Sequence, residues 1–387
     1  MMVIDPYRFG GGGSCPSYTP GLYTAEEIDT LINDDGYIPV ASAAEFDNIR
    51  TGISETMGAG TCWEGSYTTG VGQKYIQVTD IDFTSFGVWT GTIPFFSGVY
   101  DGNVLLIENI TQSLALFAMV GVGSLLNIRI DGAVCTSATS GYVLARNNSL
   151  STTITNCRVI DCVINGGAGF TSSVFEGVAT YTDCYIDAVV SSGVGAVFNS
   201  DGGDFIRCVA VGSMTATSSG NGVSGFTSLV TTTSSYTECR CSVDVIATTG
   251  SNDQIGGFTG VNQAAITYVD CIFDGTVNAR NAVGGFIGDH RGGASTLTNC
   301  IMSGDLTATG ALYGGFCSRI AVGTFTASNS YWDTSIAGNP ATSVVGIGKT
   351  TSELQTPTTN SGIYSAYTIP PWDFGTASEY PTLTTTP

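Results

Sequence analysis

The feature that most constrains this chain is a phrase that recurs from residue 150 onward: ITNC ending at Cys157, YTDC at Cys184, FIRC at Cys208, YTEC at Cys239, YVDC at Cys271 and LTNC at Cys300. The spacings are 27, 24, 31, 32 and 29 residues. Degenerate copies end at Ile128 (LLNI) and Ser330 (ASNS), so eight units are visible. Repetition at this period marks a stacked array in which each unit buries its apolar face against the next. Two residues after each anchor stand Ile130, Val159, Ile186, Ala210, Cys241, Phe273, Met302 and Trp332, all apolar. Alternate strand residues share a face, so anchor and i+2 neighbour point into one core. The polar residue before each anchor, often after Thr or Ser, reads as a turn leading into the strand.

A second phrase keeps step with the first. Small residues lead into Phe170, Phe198, Phe226, Phe258, Phe286 and Phe316, with GGF at the last three. Each unit therefore holds at least two strands and a glycine-rich corner. The fold expected is all-β, a parallel β-helix with coils of about 24–32 residues. Composition agrees, because 52 glycines among 387 residues disfavour long helices. In this reading the cysteines Cys157, Cys184, Cys208, Cys239, Cys271 and Cys300 form one buried structural ladder of mostly free thiols, packed as small hydrophobes. Flat stacking does not readily supply the disulfide dihedral. Ser234, in a Thr/Ser run, reads as exposed.

Only 12 basic residues stand against 32 acids, a formal charge of −20. Nucleic-acid phosphates would be repelled, so no nucleic-acid partner is expected. No apolar run of membrane-spanning length occurs, and Asp5 and Arg8 sit where a classical leader would be apolar. With one histidine and no paired C-x-x-C set, neither a metal nor another cofactor is expected.

Beyond the repeats, VASAAEFDNIR (40–50), VTDIDF (78–83) and IPFFSGVYDGN (93–103) precede the array, and NSYWDTS (329–335), VGIGKTTSELQ (345–355), PPWDF and YPTL follow it. In this order they resemble the GLUG-repeat parallel β-helix of bacterial adhesins and filamentous-haemagglutinin-like proteins, over about residues 37 to 385. The chain departs from that pattern in using Phe where the family's short motif has Leu, and in its start. VIDPYRFGGGG resembles the N-termini of bacteriophage structural proteins. The resemblances imply a virion structural protein (tail fibre, spike or head decoration) that displays a β-helix for host-surface adhesion. A bacterial surface adhesin is the alternative, and a polysaccharide depolymerase the second.

The organisation expected is an attachment arm over 1–36, an entry segment with the first coils over 37–120, the repeat β-helix over 121–335 and a closing segment over 336–387. The arm carries Tyr7, Arg8 and Phe9 as attachment candidates for other virion proteins, and Thr24 with Glu27 as a capping box for a short helix. A host glycan or protein is the expected outer partner. A homo-oligomer, with a trimer as one form, is compatible with coils that look complete in themselves.

Parallel β-helices host polysaccharide lyases and hydrolases, whose chemistry needs a carboxylate pair at a defined separation. Asp80 with Asp82 belongs to the entry phrase, and Asp201 with Asp204 to a turn-rich SDGGD. Asp289, His290 and Arg291 form the one dense triplet, read as a candidate surface-binding loop after GGF. No basic cluster accompanies it, and the expectation is a non-enzymatic protein with no catalytic residues.

Overall fold

The protein is described by a computed structural model covering residues 19, 21–52, 54–57, 65–68, 70–121, 123–136, 142–148, 152–166, 169–171, 179–192, 195–199, 201–217, 222–248, 254–280, 282–310, 313–336 and 338–384. It is a parallel β-solenoid with three faces per coil. The first face is an 11-stranded sheet running from Ile38–Val40 through Ser124–Leu126, Thr153–Thr155 and Thr180–Thr182 to Thr324–Ser328. The second is a 16-stranded sheet reaching from Ile81–Asp82 to Ile347–Lys349, with strands of eight residues at Arg158–Asn165, Tyr185–Ser192, Val209–Ala216 and Arg240–Ala247. The third consists of shorter parallel sheets that follow the glycine-rich corner. Coil stacking therefore runs unbroken from Ile38 to Lys349, across the boundaries drawn at 120 and 335.

The corner between the first and second faces explains the polar residue of the repeat. Asn127, Asn156, Asp183, Arg207, Glu238, Asp270, Asn299 and Asn329 all have positive φ, between 45° and 57°. One left-handed residue reverses the chain in each coil. Asn and Asp tolerate this conformation best, which accounts for six of the eight. The anchor cysteine follows in the corner itself rather than inside a strand, and the second-face strand begins one residue later. Side chains at the left-handed position bond along the axis: Asn127 Nδ2 to Asp101 Oδ1 (3.0 Å), Asn156 Nδ2 to Asn127 Oδ1 (2.8 Å) and Asn299 Nδ2 to Asp270 Oδ1 (3.1 Å).

The interior is filled by columns repeating at the strand spacing of about 4.8 Å. Phe198, Phe226 and Phe258 stack with centroids 4.6 and 4.7 Å apart. A second aromatic column, Tyr181, Phe205, Tyr236 and Tyr268, stacks at 4.7 to 4.9 Å and meets the first edge-on. Such ring pairs contribute about 0.5–1.5 kcal/mol each beyond area burial. Buried tyrosine hydroxyls require partners, and a third-face column supplies them. Tyr181 meets Thr171 (3.0 Å), Tyr236 donates to Thr227 (3.0 Å) and Tyr268 meets Thr259 (2.6 Å).

The two sequence phrases keep phase because they touch. A Cβ on Gly225, Gly257, Gly285 or Gly315 would lie 2.4 to 2.6 Å from Cys241, Phe273, Met302 or Trp332, the residues two after the anchors. The glycine before each of these phenylalanines is the space that the i+2 side chain occupies.

The N-terminal end and the last coils of the second face are covered. At the N-terminal end helix α1 (Ala25–Asn33) carries the Thr24/Glu27 capping box, and helix α2 (Ala43–Thr51) inserts Phe46 against Phe83, Trp89, Tyr100 and Phe117 at 5.3 to 6.2 Å. After Lys349, helix α3 (Thr351–Gln355) and a hairpin pairing Trp372–Asp373 with Thr382–Leu383 lie outside the solenoid. Leu354, Tyr364, Tyr367 and Trp372 pack there on Ile272, Ile301 and Tyr331. Trp372 Nε1 donates to Asp270 Oδ1 (2.8 Å), tying this segment to the corner column.

Ser234 corrects one expectation. It is 2 % exposed, its hydroxyl donating to Thr232 O and accepting from Gly203 N-H. Its place at the start of a first-face strand turns it inward. Phe286→Asp and Cys239→Asp should each destabilise by more than about 4 kcal/mol, because each buries an unpaired charge. Thr233→Asp, at an exposed neighbour, should stay within about 0.5 kcal/mol. Denaturant melts of the three variants decide this, and similar midpoints would contradict the inward columns. Asn156→Val should cost about 2 kcal/mol by the same measurement, since a β-branched residue is forced into the left-handed region.

Candidate functional site

The anchor cysteines are buried, each 0 or 1 % exposed. Among the described residues every cysteine is a free thiol. Each anchor sulfur lies within hydrogen-bonding reach of the carbonyl two residues earlier, at 3.3 to 3.4 Å. Most also reach a carbonyl one coil back, as Cys239 does to Phe205 O at 3.5 Å. Desolvation pushes the thiols of Cys157, Cys184 and Cys271 well up. Nucleophilic or metal-ligand chemistry needs an accessible thiolate, and every sulfur of this column is shut away from solvent. At the next rung Ser330 makes the same bond to Ser328 O (2.9 Å), so a hydroxyl replaces the thiol in one coil.

Asp289, His290 and Arg291 were expected in an exposed loop, and the structure corrects this. Ile287–His290 is a third-face strand, and Asp289 and His290 are fully buried. Strand pairing with the coils on either side removes them from solvent. Asp289 accepts from Arg291 Nε (2.6 Å) and from both Nε and Nη2 of Arg319, thirty residues on. His290 Nδ1 meets Asn262 Nδ2 at 2.8 Å, its ring stacks on Phe325 at 5.4 Å, and burial holds its pKa below the usual imidazole value. The cluster joins two coils through a buried carboxylate that pairs with two partly exposed guanidinium groups. Asp289→Asn removes the charge from these hydrogen bonds while solvent still screens both arginines, so it should lower stability by roughly 1 kcal/mol in denaturant unfolding, and an unchanged midpoint would show that the pair is not a staple.

The remaining acids are also occupied. Asp80 accepts from Leu106 N-H (2.8 Å), while Asp82 accepts from the Thr84 backbone and hydroxyl and from Asn109, bonds that lower its pKa. Asp201 takes Thr231 and Gly202 N-H groups, and Asp204 takes the Ser235 hydroxyl. Among the described residues no group of three His, Cys, Asp or Glu is arranged to hold a metal. Tyr7, Arg8 and Phe9 lie outside the described residues.

What the sequence reading missed is the outward side of the second face. Its strands present columns in register, coil upon coil. One column carries Arg129, Arg158, Tyr185, Val209 and Arg240, the residues that follow the anchors. Arg158 lies over the Tyr185 ring, 5.0 Å from its centroid. A parallel column holds Glu108 paired with Asp131, and a third exposes Val134, Val163 and Val189 at 36, 42 and 52 %. The signal available in the sequence was the residue after each anchor, read across coils rather than along the chain.

No family model and no curated protein matches the sequence. A solved structure from Bacteroides ovatus named "putative immunoglobulin A1 protease" aligns over 92% of this chain and 94% of its own, with a TM-score of 0.42 and 15% sequence identity. That neighbour corrects the expectation of a protein without enzymatic activity. At this level of similarity the likeness carries no argument about this chain's own chemistry.

Proposed function

We propose that the chain is a display element of a bacteriophage particle, a fibre, spike or head decoration whose second face meets the host surface. The observation that carries the reading is the 16-stranded second-face sheet, whose outward column runs in register from Arg129 to Arg240 before the closing segment covers its continuation at Ile272, Ile301 and Tyr331. Stacked coils keep their side chains in fixed register, which suits recognition of repeating or extended ligands at low ordering cost. The phage-like start of the sequence supports attachment through the N-terminal arm to other virion proteins. A GLUG-type bacterial surface adhesin is the second reading, favoured by the order of entry and exit phrases around the coils.

Deleting residues 1–18 tests the first reading. Among the described residues the first entry contact is that of Thr19, whose N-H reaches Val78 O (3.4 Å), and the shortened chain, which retains it, should keep its fold. It should remain a soluble, β-rich protein with a cooperative melt by circular dichroism, and should no longer be incorporated into particles. Normal incorporation of the shortened chain would overturn the attachment reading.

A further inference from the structure

We infer that Arg129 and Arg158 form an anion subsite on the second face that binds an acidic polysaccharide. This deepens the display reading, on which it rests for the place where the ligand is met. In a protein of net charge −20, arginines find partners easily. Arg207 is bonded to Asp183 (2.6 Å), Arg240 to Asp274 (2.5 Å), and Arg291 and Arg319 to Asp289. Arg129 and Arg158 differ: among the described residues neither has an ion-pair or hydrogen-bond partner, and the Nε of each is buried without an acceptor.

The two are also directly in register on adjacent parallel strands. Like charges at one strand spacing, about 4.8 Å, repel and destabilise the sheet. A single carboxylate or phosphate bridging the outward Nη groups of both guanidinium forks removes that repulsion and gives those groups an acceptor. The Tyr185 ring, its centroid 5.0 Å from the Arg158 guanidinium carbon, steadies that fork before any ligand arrives. The corner beside the pair is neutral, because the left-handed residues there are Asn127 and Asn156, whereas the next coil has Asp183.

The surroundings select the ligand class. Asp131 lies two residues from Arg129 on the same outward side, and Asp161 and Asp187 influence Tyr185 electrostatically. These carboxylates disfavour a densely anionic partner such as nucleic acid. They are good acceptors for hydroxyl groups. A chain with one anionic group per sugar and many hydroxyls satisfies both sets, and a uronate or a phosphate-linked polyol supplies the same anion.

Purified full-length protein is tested by biolayer interferometry on immobilised polygalacturonate, poly(glycerol phosphate) and neutral dextran. Binding to one or both anionic polymers, weakened by salt and absent on dextran, is the expected result; the arm that binds identifies carboxylate or phosphate. R129Q/R158Q should lose roughly tenfold or more in affinity, with a melting temperature that does not fall and rises as the repulsion is removed. Arg207→Gln, which removes a paired arginine close by, should bind as the unaltered protein does. No binding to either anionic polymer, equal binding to dextran, or an unaffected double variant overturns the inference. Because no particle is involved, such a failure leaves the incorporation experiment to decide the display reading separately.

Discussion

Each coil must turn at the same height along the axis, and a single residue in the left-handed conformation performs that turn. The constraint is severe. Eight successive coils place a non-glycine residue at φ near 50°, and the strands before and after it then bond to the coils on either side. Asn127 N-H, for example, donates to Thr155 O (2.9 Å), while Arg158 N-H donates to Ile128 O (2.7 Å). A one-residue slip at this corner would turn every inward side chain outward in the following strand. The corner thus fixes which residues are core, and the axial bonds among Asn127, Asn156 and Asp101 hold it in place.

Once register is set, the interior follows from packing like on like. Rings stack on rings, thiols on thiols, and hydroxyl groups bond across from one column to another. Tyr181, Tyr236 and Tyr268 are fully buried, yet the Thr171, Thr227 and Thr259 column leaves none of their hydroxyls unmet. Phe205 stands in the same aromatic column with no hydroxyl to satisfy, so the column tolerates either residue. This interchangeability explains why the repeat reads as loose in sequence while being strict in space: each position demands a shape and a polarity, and several residue types meet it.

The inward half of the design was legible because it is periodic at short range. The anchor cysteines, their i+2 partners and the six phenylalanines announce themselves by spacing, and all are buried. Two things were not legible. Asp289 and His290 look like loop residues between glycines, and only pairing with the coils at Asn262 and Arg319 makes them interior. Ser234 likewise sits in a polar run whose local composition says nothing of its inward phase. Burial in a solenoid is decided by register with a residue about thirty positions away, and a local reading misses it wherever polar residues face inward.

The outer surface was harder to read for the converse reason, since Arg129 and Arg158 are related in the sequence only as the residues that follow the successive anchors Ile128 and Cys157. Their adjacency appears only once the coils are stacked, and it sets the electrostatic character of that stretch of the sheet. A strongly acidic chain carries its few arginines where they neutralise particular acids across coils, as Arg207 does for Asp183 and Arg240 for Asp274. Two arginines left in register without acids therefore break the rule that the rest of the surface obeys. Stability alone would favour replacing one of them by a neutral residue, and the Tyr185 ring beneath Arg158 stabilises the charge instead of removing it. A cost that the fold could easily avoid, reinforced by a neighbouring aromatic residue, is the physical sign of a group maintained for something outside the chain.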